Sequence, residues 1–205
     1  MSGYPIVLNG EAITALVVGG GRVAERKARA LLAAGARVRI VAPLVSGVLR
    51  ELAHSNERCE IVERRYERGD IVAARLVFAA TDQREVNAAV ARDAREEGVL
   101  VNVADDGSLG DFVTPAVHES GSLLVAVTTG GVPGAASRIR DALSERFDER
   151  YADALARLAE LRSSLLGADD REEWKRAADA LLDEDFCARV ESRTLGEELA
   201  RWRYS

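Results

Sequence analysis

Leu16-Val-Val-Gly-Gly-Gly-Arg-Val-Ala24 decides how this chain folds. An apolar strand ends in three glycines, and Ala24-Glu-Arg-Lys-Ala-Arg-Ala-Leu-Leu32 continues at once as a helix-forming segment. Gly19, Gly21 and Ala24 fill the G-x-G-x-x-A spacing in which a strand, a tight turn and a helix N-terminus bind a dinucleotide pyrophosphate. The first glycine permits the turn, the second lets the backbone approach the phosphates, and the small Ala24 lets the helix pack against the strand. The free N–H groups and the positive dipole end of the helix then face the anion. A plain glycine turn is the bland alternative, and the strand–turn–helix context favours the nucleotide.

Outward from this unit the chain alternates. Tyr4 to Leu8 predicts a short strand before an Asn9-Gly10 turn, and Ile13 to Val18 the first core strand. A helix from Arg22 to Ala34 ends at Gly35. Further strands are expected at Arg37 to Val41, Glu60 to Val62, Leu76 to Ala80 and Val99 to Val103, with helices at 45–53 and from Asp82 to about Glu97. Asp82, with Glu85 three residues on, reads as a capping box. Strands alternating with helices through residue 103 predict an α/β fold, a Rossmann-like doubly wound parallel sheet. The pattern then changes. Phe112 to Val117 and Ser122 to Val127 predict two more strands that turn near Ser120-Gly121. Thr128-Thr-Gly-Gly-Val-Pro-Gly134 is a second glycine-rich turn, and a helix follows from Ala135 to about Phe147. From Tyr151 onward the chain is helical and charged, with Asp170 as the N-cap of a helix through Leu182 and a last helix within 194–202. A small α+β region and a helical C-terminal tail therefore follow the sheet, with a break near residue 113.

Composition bounds the function. The 205 residues carry 28 basic and 34 acidic side chains, a net charge of −6, which disfavours nonspecific nucleic-acid binding. No apolar run has the length of a membrane span. Met-Ser-Gly-Tyr-Pro at the start lacks the basic and apolar parts of a secretory signal. Cys59 and Cys187 form no C-x-x-C pair, which favours a reducing, cytoplasmic setting over a disulfide framework. With His54 and His118 the only histidines, no metal site is expected.

The second strand ends Ile40-Val-Ala-Pro-Leu44, without the carboxylate that usually grips a ribose and without an arginine for a 2′-phosphate. The ribose and adenine are then held by backbone and apolar contacts at Ala42, Pro43 and Leu44, and NAD is favoured over NADP. Thr81-Asp82 stands at the carboxyl end of the fourth strand, either as ligand contact or as a helix cap alone. Asp105 and Asp106 follow the fifth strand, so they lie at the same sheet edge as the glycine turn. A carboxylate there can accept or position a proton while a hydride leaves toward a nicotinamide; a solvated Asp-Asp-Gly turn is the alternative. Thr128, Thr129, Gly130 and Gly131 precede a helix and form a candidate anion site, with a simple helix-opening loop as the alternative.

Taken in order, Gly19-Gly-Gly-Arg-Val-Ala-Glu-Arg-Lys27, Ala42-Pro43, Phe78-Ala-Ala-Thr-Asp82 with Val86-Asn87, Asn102-Val-Ala-Asp-Asp106 with Asp111-Phe112, Pro115, and Thr128-Thr-Gly-Gly131 resemble the precorrin-2 dehydrogenase family, including the N-terminal module of siroheme synthase. The likeness covers about residues 4–147. It implies NAD-dependent oxidation of precorrin-2 to sirohydrochlorin, on the way to sirohaem, by a homodimer. It implies an NAD-binding domain at 1–113, a dimerisation region at 114–147 and a helical domain at 148–205. The family's catalytic aspartate falls on Asp105. Its nucleotide contacts fall on Gly19, Gly20, Gly21, Arg22 and Val23 and near Pro43 and Leu44. Precorrin-2 is a polycarboxylate and this chain is acidic, so local positive charge is needed; Arg138 and Arg140, after the second glycine turn, are candidates to hold substrate carboxylates. Two stretches depart from the family. Val132-Pro-Gly-Ala-Ala-Ser137 replaces the usual Ser-Pro, and Gly107-Ser-Leu-Gly110 replaces Pro-Glu-Leu-Cys. Two other readings stay open: an enzyme that also inserts ferrous iron into sirohydrochlorin, and a noncatalytic NAD-sensing module. The chain ends at Ser205, so no methyltransferase module is expected.

Overall fold

A computed structural model describes residues 3–202. The chain divides between Thr114 and Pro115 into two compact units. In the first, β1 (Thr14–Val18), β2 (Arg37–Val41), β3 (Cys59–Val62), β4 (Leu76–Ala79) and β5 (Leu100–Val103) form one sheet in the order β3-β2-β1-β4-β5. Every pairing is parallel. α1 (Arg22–Ala33) connects β1 to β2, α2 (Gly47–Ser55) β2 to β3 and α3 (Arg84–Glu96) β4 to β5, while the β3–β4 crossover holds only a 3-10 turn at Arg68–Ile71. The central strands β1 and β4 are buried and apolar on both faces, whereas the outer β2 and β3 set Arg39 and Glu60 toward solvent on one face. Ala15, Val17, Val38, Ile40 and Phe78 face Ala24, Ala28 and Leu32 of α1 and Leu49 of α2. Leu16, Val18, Val41, Val77, Ala79, Val101 and Val103 face Val90, Ala91 and Ala94 of α3.

Three local expectations need correction. Tyr4 to Leu8 forms no strand, and Tyr4, Ile6 and Val7 are largely exposed; β-forming side chains make a strand only where a neighbouring strand completes the ladder, and this segment has none. Phe112 does not begin a strand. Asp111 instead folds the chain back on β5: its N–H donates to the Val101 carbonyl (2.8 Å), its carboxylate accepts from the Val101 N–H (3.0 Å), and Asn102 donates to the Phe112 carbonyl (2.9 Å). One backbone bond and two side-chain bonds stand in place of a strand ladder. The Asp82–Glu85 capping box is absent, because α3 begins later, with Gln83 at its N-cap.

Residues 115–202 hold a two-stranded antiparallel ladder, β6 (Ala116–Ser120) and β7 (Leu123–Val127), and five helices: α4 (Pro133–Arg146), α5 (Glu149–Gly167), α6 (Arg171–Leu181), α7 (Phe186–Glu191) and α8 (Leu195–Trp202). Gly121 opens the two-residue β6–β7 turn at φ +58°, a conformation that suits glycine. Two strands alone are marginal, and this ladder is tied to the helices: His118 Nε2 meets the Phe147 carbonyl at 2.7 Å and Ser120 donates to the Asp148 carbonyl at 2.9 Å. Tyr151, Leu158, Leu161, Leu181, Leu195 and Leu199 form the core of this unit. Asp170 caps α6 as expected, accepting from the Glu173 N–H at 3.0 Å. The short α7 has no periodic apolar signal long enough to announce it.

Among the described residues of the first unit one cation is buried. Lys27 on α1 is 9 % exposed. Its Nζ donates to Thr114 Oγ1 at 2.6 Å and lies 5.4 Å from the centre of the Phe78 ring, itself packed edge-on against Phe112. Burial, and secondarily the charge of Arg26, push its ammonium from an ordinary 10.5 down to about 8. The folded protein therefore holds fewer protons than the unfolded chain between these values, so this group makes stability rise with pH across that window and is a standing cost below it. Burial pushes the Tyr66 and Tyr151 phenols up, which acts in the opposite sense only above about pH 10. Between about pH 7.5 and about pH 9.5 the urea midpoint of the wild type should rise relative to that of Lys27→Met. Parallel pH profiles for the two proteins would show that the ammonium carries no desolvation cost.

Candidate active site

The glycine turn lies at the carboxyl end of β1, next to β4, where the winding of the sheet reverses and a crevice opens. Its three glycines do different work. Gly19 has φ +133°, and a Cβ there would lie 2.3 Å from the Ala80 carbonyl oxygen. A Cβ on Gly20 would lie 1.9 Å from the Leu44 carbonyl oxygen, and the Gly20 carbonyl accepts from the Ser46 N–H at 3.0 Å. Gly20 thus locks the turn to the Ala42–Leu44 loop, a role the spacing alone does not reveal. Gly21 has an ordinary extended backbone, and a Cβ there would meet nothing within 4 Å. It is the N-cap of α1, no side chain caps this helix, and Ala24 is fully buried against the strand. A bare glycine in front of uncapped helix N–H groups is a cradle that a phosphate fits. Arg22 is exposed and Val23 half-buried at this end. Beside it, Ala42 is buried, Pro43 and Leu44 are exposed, and neither an acid nor an arginine stands at 42–44.

Across the switch point, Thr81 continues the β4 end. Asn87 of α3 is 1 % exposed, and its carboxamide makes four hydrogen bonds. Its Oδ1 accepts from the Thr81 N–H (3.1 Å) and the Thr81 hydroxyl (2.7 Å); its Nδ2 donates to the Thr81 carbonyl (3.1 Å) and to Asp105 Oδ1 (2.8 Å). The other Asp105 oxygen lies 3.7 Å from Nε of the exposed Arg84. Asp105 and Asp106, equivalent on paper, are therefore distinct. Asp106 caps the 3-10 turn Gly107–Leu109, accepting from the Ser108 hydroxyl (2.6 Å) and N–H (2.9 Å), and these bonds hold its carboxyl below the usual range. Asp105, with its side chain one third exposed, remains the carboxylate open to a ligand. Asp82 is exposed and caps no helix, while the polar groups of Thr81 are committed to Asn87 and Gln83. Asn87 was visible in sequence only as part of a resemblance, without a role.

In the second unit, Gly130 (φ +62°) and Gly131 (φ +113°) shape the turn before α4, and the Thr129 hydroxyl donates to the Val132 carbonyl at 2.6 Å. Thr128 is exposed. α4 opens with Pro133, which has no N–H, and the Ala135 N–H donates to the Val132 carbonyl (3.0 Å), so unlike α1 this helix start offers a ligand only the Gly134 N–H. Arg138 is exposed on this helix, whereas Arg140 is engaged with Asp141 (2.7 Å) and the Val117 carbonyl (3.3 Å). Among the described residues no cluster of three or more His, Cys, Asp or Glu is placed to hold a metal, both cysteines are free, and no helix is long and apolar enough to cross a membrane.

The chain is similar to known proteins in sequence and in fold. An NAD(P)-binding family model matches residues 6–116. The siroheme synthase of Chromobacterium violaceum is 43 % identical over 169 residues, 82 % of this chain and 35 % of that protein. That of Methylococcus capsulatus is 42 % identical over 160 residues, 78 % of this chain and 33 % of the relative. The chain thus spans about a third of the length of these synthases. The solved structure of SirC, precorrin-2 dehydrogenase, superposes with a TM-score of 0.74 at 25 % identity, covering 97 % of this chain and 99 % of that one.

The different surroundings of Gly20 and Gly21 separate folding from binding. Gly20→Ala should cost about 1–3 kcal/mol or more of stability, read by urea unfolding, because its Cβ meets backbone. Gly21→Ala should cost under about 1 kcal/mol, the loss of a preferred N-cap residue, and weaken NAD binding at least about tenfold, read by calorimetry. Unchanged NAD affinity in Gly21→Ala would remove the helix N-terminus from the nucleotide site.

Proposed function

Given that the chain belongs to the family of precorrin-2 dehydrogenases and siroheme synthase N-terminal modules, we propose that it oxidises precorrin-2 to sirohydrochlorin with NAD. The observation that carries this reading is the placement of an uncapped helix N-terminus behind Gly21 and a fixed, open carboxylate at Asp105 on one edge of one sheet. Gly19 and Gly20 shape the turn, Gly21 with the N–H groups of Arg22 and Val23 holds the pyrophosphate, and Ala42, Pro43 and Leu44 offer backbone and apolar contact to the adenosine. Thr81 and Asp82 border the same crevice. The absence of a basic residue at 42–44 supports NAD over NADP.

When bound, the nicotinamide supplies the hydride acceptor. The protein's part is to orient the substrate, exclude water and take the proton. The macrocycle gives up a hydride and a proton, and Asp105 receives the proton. In the second unit, the glycine turn Thr128, Thr129, Gly130 and Gly131, with exposed Arg138 on the helix it leads into, supports binding of substrate carboxylates; Arg140, already engaged, orders that surface. In this reading residues 1–113 bind NAD, 114–147 form the dimerisation region and 148–205 are a helical domain of a cytoplasmic homodimer. The solvent face of β6–β7, where Val117 and Leu124 are exposed, supports a partner copy there.

The test is an anaerobic assay with precorrin-2 and NAD, followed at the NADH absorption band and by the sirohydrochlorin spectrum. Both products should appear together. Tight NAD binding without turnover would overturn the reading and leave a nucleotide-sensing module. Asp105→Asn should lower kcat at least about 100-fold while changing NAD affinity by less than about twofold; wild-type turnover in that variant would remove Asp105 from the chemistry.

A further inference from the structure

Asn87 sits on α3 with a carboxamide whose orientation is not free. The Thr81 N–H can only donate and the Thr81 carbonyl can only accept. The first lies 3.1 Å from Asn87 Oδ1 and the second 3.1 Å from Nδ2, so the two ends of the amide cannot be exchanged. The Thr81 hydroxyl adds a bond of 2.7 Å to Oδ1. One N–H of the amide is left, and it points at Asp105 Oδ1, 2.8 Å away. An N–H is a donor under all conditions, so Oδ1 is held as an acceptor. A proton arriving at Asp105 then has one unhindered place to go, Oδ2. Arg84 stands near that oxygen at 3.7 Å, beyond hydrogen-bond reach, on a side chain that is 83 % exposed. A chain of contacts also leads back to the nucleotide turn: the space of a Gly19 Cβ is closed by the Ala80 carbonyl, the Ala80 N–H donates to Val18 of β1, and Thr81 follows directly.

We propose that Asn87 is a positioning residue for the dehydrogenation: it commits Asp105 Oδ1 as an acceptor, dedicates Oδ2 to the proton, and registers that oxygen against the nucleotide turn through Thr81. The inference rests on the reading of Asp105 as the proton acceptor. Asn87 is buried and its carboxamide is spent on Thr81 and Asp105, so its effect belongs in kcat and not in binding. A misplaced carboxylate of this kind lowers turnover by about 10- to 100-fold.

The experiment compares wild type, Asn87→Asp, Asn87→Ala, Asp105→Asn and the double variant Asn87→Ala/Asp105→Asn, with precorrin-2 and NAD as ligands. Asn87→Asp has the size of the native side chain and still accepts from Thr81 at one oxygen, but sets a second acceptor against Asp105 Oδ1. It answers the question if Asn87→Ala fails to fold. Both single Asn87 variants should lose about 10- to 100-fold in kcat, with KM for precorrin-2 and Kd for NAD within about threefold of wild type. In the Asp105→Asn background, Asn87→Ala should change the single-turnover rate by less than about twofold, because the group it acts through is gone. Retained kcat in Asn87→Asp overturns the proposal. So does a loss confined to KM or Kd, and so does an equal loss in both backgrounds, which would mark a structural role. Wild-type turnover in Asp105→Asn overturns the reading beneath it, and is seen before any Asn87 variant is made.

Discussion

The approach of the Gly19 turn to the end of β4 is the constraint on which the nucleotide-binding unit depends. β1 is flanked by β2 on one side and β4 on the other, and the strand order runs outward from this pair in opposite directions, to β3 and to β5. A crevice forms only if the turn after β1 leaves it empty. The turn does so by pressing on its neighbours with bare backbone: Gly19 against Ala80, Gly20 against the Leu44 carbonyl. Both contacts are too close for any side chain. With the turn pinned on two sides, α1 starts at one place and presents its N-terminus to one spot. The same β4 end that stops Gly19 leads into Thr81, which bonds Asn87, which bonds Asp105.

Much of this was legible in sequence because it depends on local patterns. The strand–glycine–helix run, the apolar strands and the glycines at 35 and 98, both at positive φ after their helices, are short-range signals with direct physical causes. Tyr4 to Leu8 shows the limit of that reading. Its residues suit a strand, but strand formation is decided by a partner far along the chain, and none is there. Phe112 shows the converse, since Asp111 makes the contacts with β5 that a strand backbone would have made.

The site was legible to a different degree. Asp105 and Asp106 are adjacent and chemically identical on paper, and only the placement of Ser108 and Asn87 separates a turn cap from an open carboxylate. Asn87 is eighteen residues from Asp105, on another element, so no spacing rule joins them. Arg140 illustrates the same point in reverse. A cation near a helix start reads as a ligand grip, yet two protein acceptors already engage it. Which polar group is spent on the fold and which is left for a ligand is a tertiary property.

The burial of Lys27 also makes the surface chemistry of this protein unusually simple. Arginine supplies nearly all its positive charge, and its two lysines lie in different settings: Lys27 is enclosed behind Phe78 and Thr114, while Lys175 is exposed on α6. Reagents that acylate or alkylate primary amines therefore find one accessible side chain, besides the amino terminus. A dye, a tether or a solid support attached through that side chain sits on α6, outside the unit that carries the glycine turn and Asp105.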